Sequence, residues 1–93
     1  MTLERCLDEA GKLGFWPMKK RRALRGPILD WLADSIPKGH DLNEKQVNEA
    51  INDRIKVMDH AYFRRMLVET GRLCRTPYGD RYWRPADRPE GSL

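Results

Sequence analysis

One arrangement of apolar and polar positions occurs twice in the middle of the chain. Asn43 stands ahead of a helical run with Gln46 three residues on, and Val47, Ala50, Ile51 and Ile55 then recur on one face. A side-chain acceptor followed by Gln at that spacing is a capping box, so the pattern predicts a helix over 44–55. After Lys56, Val57 and Met58, Asp59 can cap again. Phe63, Met66, Leu67 and Thr70 then fall on a buried stripe, and Gly71 stops the run. Two short helices joined by about three residues form a helix-turn-helix. Upstream, Leu24, Ile28, Trp31 or Leu32, and Ile36 fall near helical spacing and predict a helix over 19–36, ended by Pro37-Lys38-Gly39. Gly26-Pro27 interrupts it. Either a basic turn ends near Arg25 and Pro27 opens the main helix, or one helix kinks there.

The flanks follow the same logic. Thr2 can cap a short helix carrying Leu3 and Leu7, Asp8 to Gly11 reads as a turn, and Lys12 to Trp16 is extended because a residue before Pro17 avoids the helical region. Leu13, Phe15 or Trp16 is expected to pack on the body. Downstream, 72–76 and 80–84 are short strands around the turn-forming Pro77-Tyr78-Gly79, giving a hairpin directly after the second helix, the place of a wing. From Pro85 the chain is polar and expected to be loose. The predicted fold is mainly α with a small β-hairpin wing, a winged helix-turn-helix. It divides into an N-terminal extension (1–16) packing on the core, the winged domain (17–84) and a tail (85–93).

Composition narrows the function. Ninety-three residues with 40% hydrophobic and 34% charged side chains support one modest core and exclude a disordered chain. No apolar run reaches the roughly 18 residues of a membrane span, and the N-terminus lacks the layout of a secretory signal, so a cytoplasmic location with no membrane partner is expected. Cys6 and Cys74 are far apart with no C-x-x-C spacing, which argues against zinc; two thiols are favoured over one disulfide in a reducing compartment. No metal, cofactor or catalytic site is expected. The net charge is +4, and its distribution matters more than its size. Lys19, Lys20, Arg21, Arg22 and Arg25 form one block without an acid, and Arg64, Arg65, Arg72, Arg75, Arg81 and Arg84 form a second.

If Phe63 and Leu67 face the core, a turn of about 100° per residue puts Ala61, Arg64, Arg65, Val68 and Arg72 outward. In a helix-turn-helix the second helix enters the major groove, where arginine can pair with a guanine edge and a small residue such as Ala61 permits close approach. The competing structural role for Arg64 and Arg65 is pairing with Glu49 or Glu69 to lock the helix pair. Lys19, Lys20, Arg21 and Arg22 suit phosphates, or form a solvated face. In the wing, Arg75, Tyr78 and Arg81 can flank a groove, one of Tyr82 and Trp83 packs inward, and Trp83 is assigned to the core rather than to base stacking. Asp59-His60 suggests an acid orienting an imidazole, but neighbours at a cap do not face each other, so Asp59 is read as a cap. His40 is read as an exposed loop residue, and the Asn48 amide as bonding a neighbouring turn.

The runs 43–49 (NEKQVNE), 59–68 (DHAYFRRMLV), 71–76 (GRLCRT) and 79–83 (GDRYW) strongly resemble the bacterial domain-of-unknown-function family numbered 2087. Gly11-Lys12-Leu13 and Phe15 to Lys19 are similar to its opening segment. The family's domain occurs alone or attached to helix-turn-helix transcriptional regulators, so the resemblance implies a winged-helix fold in a regulatory setting. Gly26-Pro27 departs from the helix formers expected there. The leading expectation is a DNA-binding or regulator-associated winged helix, not an enzyme. The alternative is a protein docking or homodimerisation module of the same fold, favoured if Phe15, Trp16 and Trp31 form an exposed patch.

Overall fold

A computed structural model of the chain describes residues 2–38 and 41–85; the expectations for His40 and for the tail beyond Pro85 lie outside the described residues. The described residues form three α-helices, α1 (Arg25–Ala33), α2 (Glu44–Asn52) and α3 (His60–Glu69), and an antiparallel hairpin of β1 (Cys74–Arg75) and β2 (Tyr82–Trp83). Cys74 pairs with Trp83 and Arg75 with Tyr82. The order helix, helix, helix, hairpin is a winged helix-turn-helix arrangement. Short 3-10 turns at Leu3–Cys6 and Lys19–Leu24 precede it.

Each end of the helix pair is fixed by the residues that its sequence offers. The Asn43 side chain accepts from the Gln46 N–H at 2.8 Å, and Gln46 Oε1 accepts the Asn43 N–H at 2.9 Å, closing the capping box. Asp59 Oδ1 accepts the Tyr62 N–H at 2.8 Å and opens α3 in the same way. Gly71 leaves α3 with φ of 78°, a left-handed turn that suits glycine, and the N–H groups of Arg72 and Leu73 return to the Leu67 carbonyl. Thr2 occupies a cap position without a side-chain cap bond.

Three boundaries differ from the sequence expectation. The stretch 19–36 is a basic 3-10 turn that ends at Leu24 and is followed by α1 from Arg25, close to the first of the two alternatives, except that Pro27 is not the opening residue; the irregular backbone falls at Arg21 (φ −108°, ψ 17°). Proline is the third residue of α1, within the first turn whose N–H groups have no partner inside the helix, so it costs no helical bond. Next, α2 stops at Asn52, not Ile55. Ile55 pairs instead in a parallel bridge with Leu13, whose N–H donates to Arg54 and whose carbonyl accepts from Lys56, both at 2.7 Å. The joint between α2 and α3 is therefore 53–59, longer than about three residues, and it passes through Met58 at φ 62°. Finally, the hairpin strands are shorter than 72–76 and 80–84, but Tyr82 also bridges Leu42, adding the approach to α2 as a third line of backbone pairing.

The core gathers one face from every element: Ile28, Leu29, Leu32 and Ala33 of α1, Val47 and Ile51 of α2, Phe63 and Leu67 of α3, then Leu73 and Tyr82. Burying each large side chain contributes roughly 1.5–3 kcal/mol. Cys6, Leu13 and Trp16 close the same core from the N-terminal segment. That segment folds back between Leu7 and Leu13 around Gly11 (φ 78°). Asp8 Oδ1 accepts the N–H groups of Ala10 and Lys12, and Oδ2 pairs with Lys56 at 3.1 Å. The Lys12 hydrogen bond, then that of Lys56, holds the Asp8 carboxyl below its ordinary range. Trp16 meets Tyr62 and Phe63 edge to face, donates its indole N–H to the Tyr62 hydroxyl at 3.0 Å, and lies under the Arg25 guanidinium at 5.0 Å. On the expected α3 stripe Met66 is half-buried, and Thr70, just past the end of the helix, is exposed. Both cysteines are free thiols, Cys6 buried and Cys74 half-buried, and burial pushes the Cys6 thiol up.

Candidate nucleic-acid interface

The consecutive arginines of α3 are treated differently by the fold. Arg64 is not free on the outer face. Its guanidinium donates to Asn48 Oδ1 at 2.5 Å and pairs with Glu44 Oε1 at 3.3 Å, so both partners come from α2, and its side chain is only 17% exposed. Glu49 and Glu69, the partners expected from the sequence, are not the ones used. The Tyr82 hydroxyl donates to the same Glu44 Oε1 at 3.4 Å, so a single carboxylate joins α2, α3 and β2. Asn48 thus spends its amide between helices. Arg65, one position on, is exposed.

Arg72 is likewise drawn inward, donating to Asp30 at 2.6 Å and to the Gly26 carbonyl at 3.3 Å, which ties the end of α3 to α1. This bridge lies against the Gly26-Pro27 irregularity. Arg81 forms a pair at 3.5 Å with Asp41, with both side chains largely exposed. Arg84 reaches Asp34 at 3.1 Å. Arg25 donates to the Pro17 carbonyl at 2.7 Å besides covering Trp16. Five arginines of the two basic blocks thus have partners within the fold.

Arg65 and Arg75 meet at one feature, an open cleft between α3 and the hairpin lined by Arg64, Arg65, Val68, Glu69, Arg75 and Tyr82. Arg65 and Arg75 are exposed there, and among the described residues neither has an ion pair or a side-chain hydrogen bond. Gly79, at φ 70°, brings the hairpin turn so close that a methyl group on it would lie 3.6 Å from both Arg75 Nη1 and the Tyr82 hydroxyl. Thr76 caps that turn, accepting from the N–H groups of Asp80 and Arg81 and donating to the Asp80 carboxylate. The hydroxyl's bond keeps the Asp80 carboxyl below its ordinary range. Tyr78 stands at the tip, 94% exposed. Ala61 and Val68 are half-buried along the α3 edge.

Of the basic block ahead of α1, Arg21 and Arg22 are exposed. The Lys19 and Lys20 side chains fall outside those described. Of the strand pair, Tyr82 is the buried residue and Trp83 is half-buried, the reverse of assigning Trp83 to the core. The Phe15, Trp16 and Trp31 patch does not form. Trp16 is buried, Trp31 is half-buried under the Arg54 guanidinium at 5.4 Å, and of the three only Phe15 is exposed, at 41%. Among the described residues no group of three or more His, Cys, Asp or Glu could hold a metal ion, and no helix is long and apolar enough to cross a membrane. The residue that sequence reasoning passed over is Glu69. The sequence expectation gives it only an ion-pair role, yet it lines the cleft, and its i, i+4 relation to Arg65 puts both on one edge of the helix.

Fold and cleft together define a small winged helix-turn-helix domain with an arginine-lined cleft beside its second helix. Residues 12–84 match the family described as an uncharacterised protein conserved in bacteria, DUF2087, and the chain belongs to that family. No curated protein and no solved structure matches it.

Proposed function

We propose that this domain binds duplex DNA, with the exposed edge of α3 in the major groove and the hairpin and the 19–22 block on flanking phosphates. The observation that supports this reading best is the cleft itself. Arg65 and Arg75 come from the second helix and from the wing, face one concavity, and have no acidic partner among the described residues. Two guanidiniums without an ion-pair partner that line one cleft from α3 and the hairpin suit an anionic surface that runs past both. A solvated arginine pair with no ligand needs no such convergence. Arg64, neutralised by Glu44, serves here as a strut that sets the α2–α3 angle rather than as a reader. The role of a transcription-regulator-associated module goes with this reading, since duplex binding is what such a module contributes.

The reading is tested with fluorescence anisotropy on a duplex about two helical turns long. Arg65→Ala and Arg75→Ala should each weaken binding by about 1–3 kcal/mol while the circular dichroism spectrum stays that of the parent, because both side chains are exposed. Variants that bind as the parent does would transfer the cleft to the docking alternative, in which it receives an acidic segment of a protein partner or of a second copy.

A further inference from the structure

We infer that Glu69 is a specificity-determining residue of the α3 edge, taking a cytosine amino group while Arg65 takes a guanine about two base steps away. The inference rests on the DNA reading above and goes beyond it by assigning a base preference. Ala61, Arg65 and Glu69 are spaced four residues apart, so they form one stripe along α3, half-buried at its start and exposed over the rest. Four residues rise about 6 Å along a helix, close to two base steps of about 3.4 Å. Arg65 and Glu69 can therefore address base pairs about two steps apart.

Three features of Glu69 call for a function. It is the last residue of α3, where the helix dipole disfavours an anion, and no basic residue occupies that last turn to offset it. It lines the same cleft as Arg64, Arg65 and Arg75, yet among the described residues it forms an ion pair with none of them. It is exposed, so packing does not require it. A carboxylate left beside two available guanidiniums fits a ligand edge that presents donors and acceptors together. A phosphate offers acceptors alone and is repelled by Glu69. A G·C pair in the major groove offers both, the O6 and N7 acceptors of guanine and the N4 amino donor of cytosine. The residue that weakens phosphate-only contact is also the one that rewards the correct base, and specificity needs both effects.

The test selects tight binders from a pool of random 20-base-pair duplexes, sequences them, and also measures affinity for a duplex of A·T pairs alone, for the parent, Glu69→Ala and Glu69→Gln. Neither variant should melt below the parent, because the helix end loses an unfavourable charge. The parent should enrich a C about two positions from a G and prefer such a site over the A·T duplex by about fivefold or more. Glu69→Ala should lose the enrichment at the C and bind the A·T duplex about threefold tighter. Glu69→Gln should move that position toward adenine, since a glutamine amide matches adenine N6 and N7. Enriched sequences identical for all three proteins, with unchanged A·T affinity, overturn this assignment and leave the DNA reading standing. A parent that binds no duplex removes both.

Discussion

Arg64 and Arg65 differ by one position and about 100° around α3, and that rotation decides what each can do. Arg64 turns toward α2 and reaches Asn48 and Glu44; Arg65 turns to solvent. The spacing of Phe63 and Leu67 told which edge of the helix is outer. It did not tell which arginine is captured, because Glu44 and Asn48 approach through the helix crossing, which no local pattern records. Asp59 is the opposite case, a residue whose role was readable locally because a cap depends on the next three residues alone. Its Oδ1 is occupied by the Tyr62 N–H. Asp59→Ala should lower stability by about 0.5–2 kcal/mol in a urea melt while DNA affinity per folded molecule stays within experimental error. Intact stability with lost binding would make Asp59 a contact residue instead.

At the scale of elements, α3 carries both the core and the candidate interface, so its inner face can be tested separately from its outer one. Leu67 is fully buried beside Phe63, with Val47 and Ile51 in the same core. Leu67→Ala should cost about 2–5 kcal/mol through the cavity it leaves, enough to unfold much of a domain this small. A loss under about 1 kcal/mol would put a different face of α3 inside. The existence and order of the helices and of the hairpin were legible from capping residues, apolar spacing and turn formers. Their ends were legible only where a local signal exists, as at Asn43, Asp59 and Gly71. Ile55 stands four residues after Ile51 and so continues the helical pattern of α2, but its neighbours' backbone groups are taken by Leu13, far away in sequence. Pro27 reads from sequence as the opening residue of the helix or as a kink, because its place within the first turn depends on a start at Arg25 that has no side-chain cap to announce it.

For the whole molecule, the two basic blocks of the sequence divide into cations consumed by the fold and cations left for a partner. Arg25, Arg64, Arg72 and Arg84 each hold two elements or segments together, and Arg81 pairs with Asp41. Composition could place the charge along the chain but could not make this division, since the acids that neutralise it, Asp30, Asp34, Asp41 and Glu44, lie far from their partners in sequence. What remains without a side-chain partner among the described residues is Arg65 and Arg75 in the cleft and the exposed Arg22 ahead of α1. The most direct measurement of the central claim is therefore the salt dependence of binding to duplex DNA. With about four to six phosphates neutralised, log affinity should fall against log salt with a slope near −4 to −5, made shallower by about one to two units when Lys19 and Lys20 are both replaced by alanine. A folded parent with no duplex binding at tens of micromolar in about 50 mM salt would contradict the account and leave the fold to serve as a docking module.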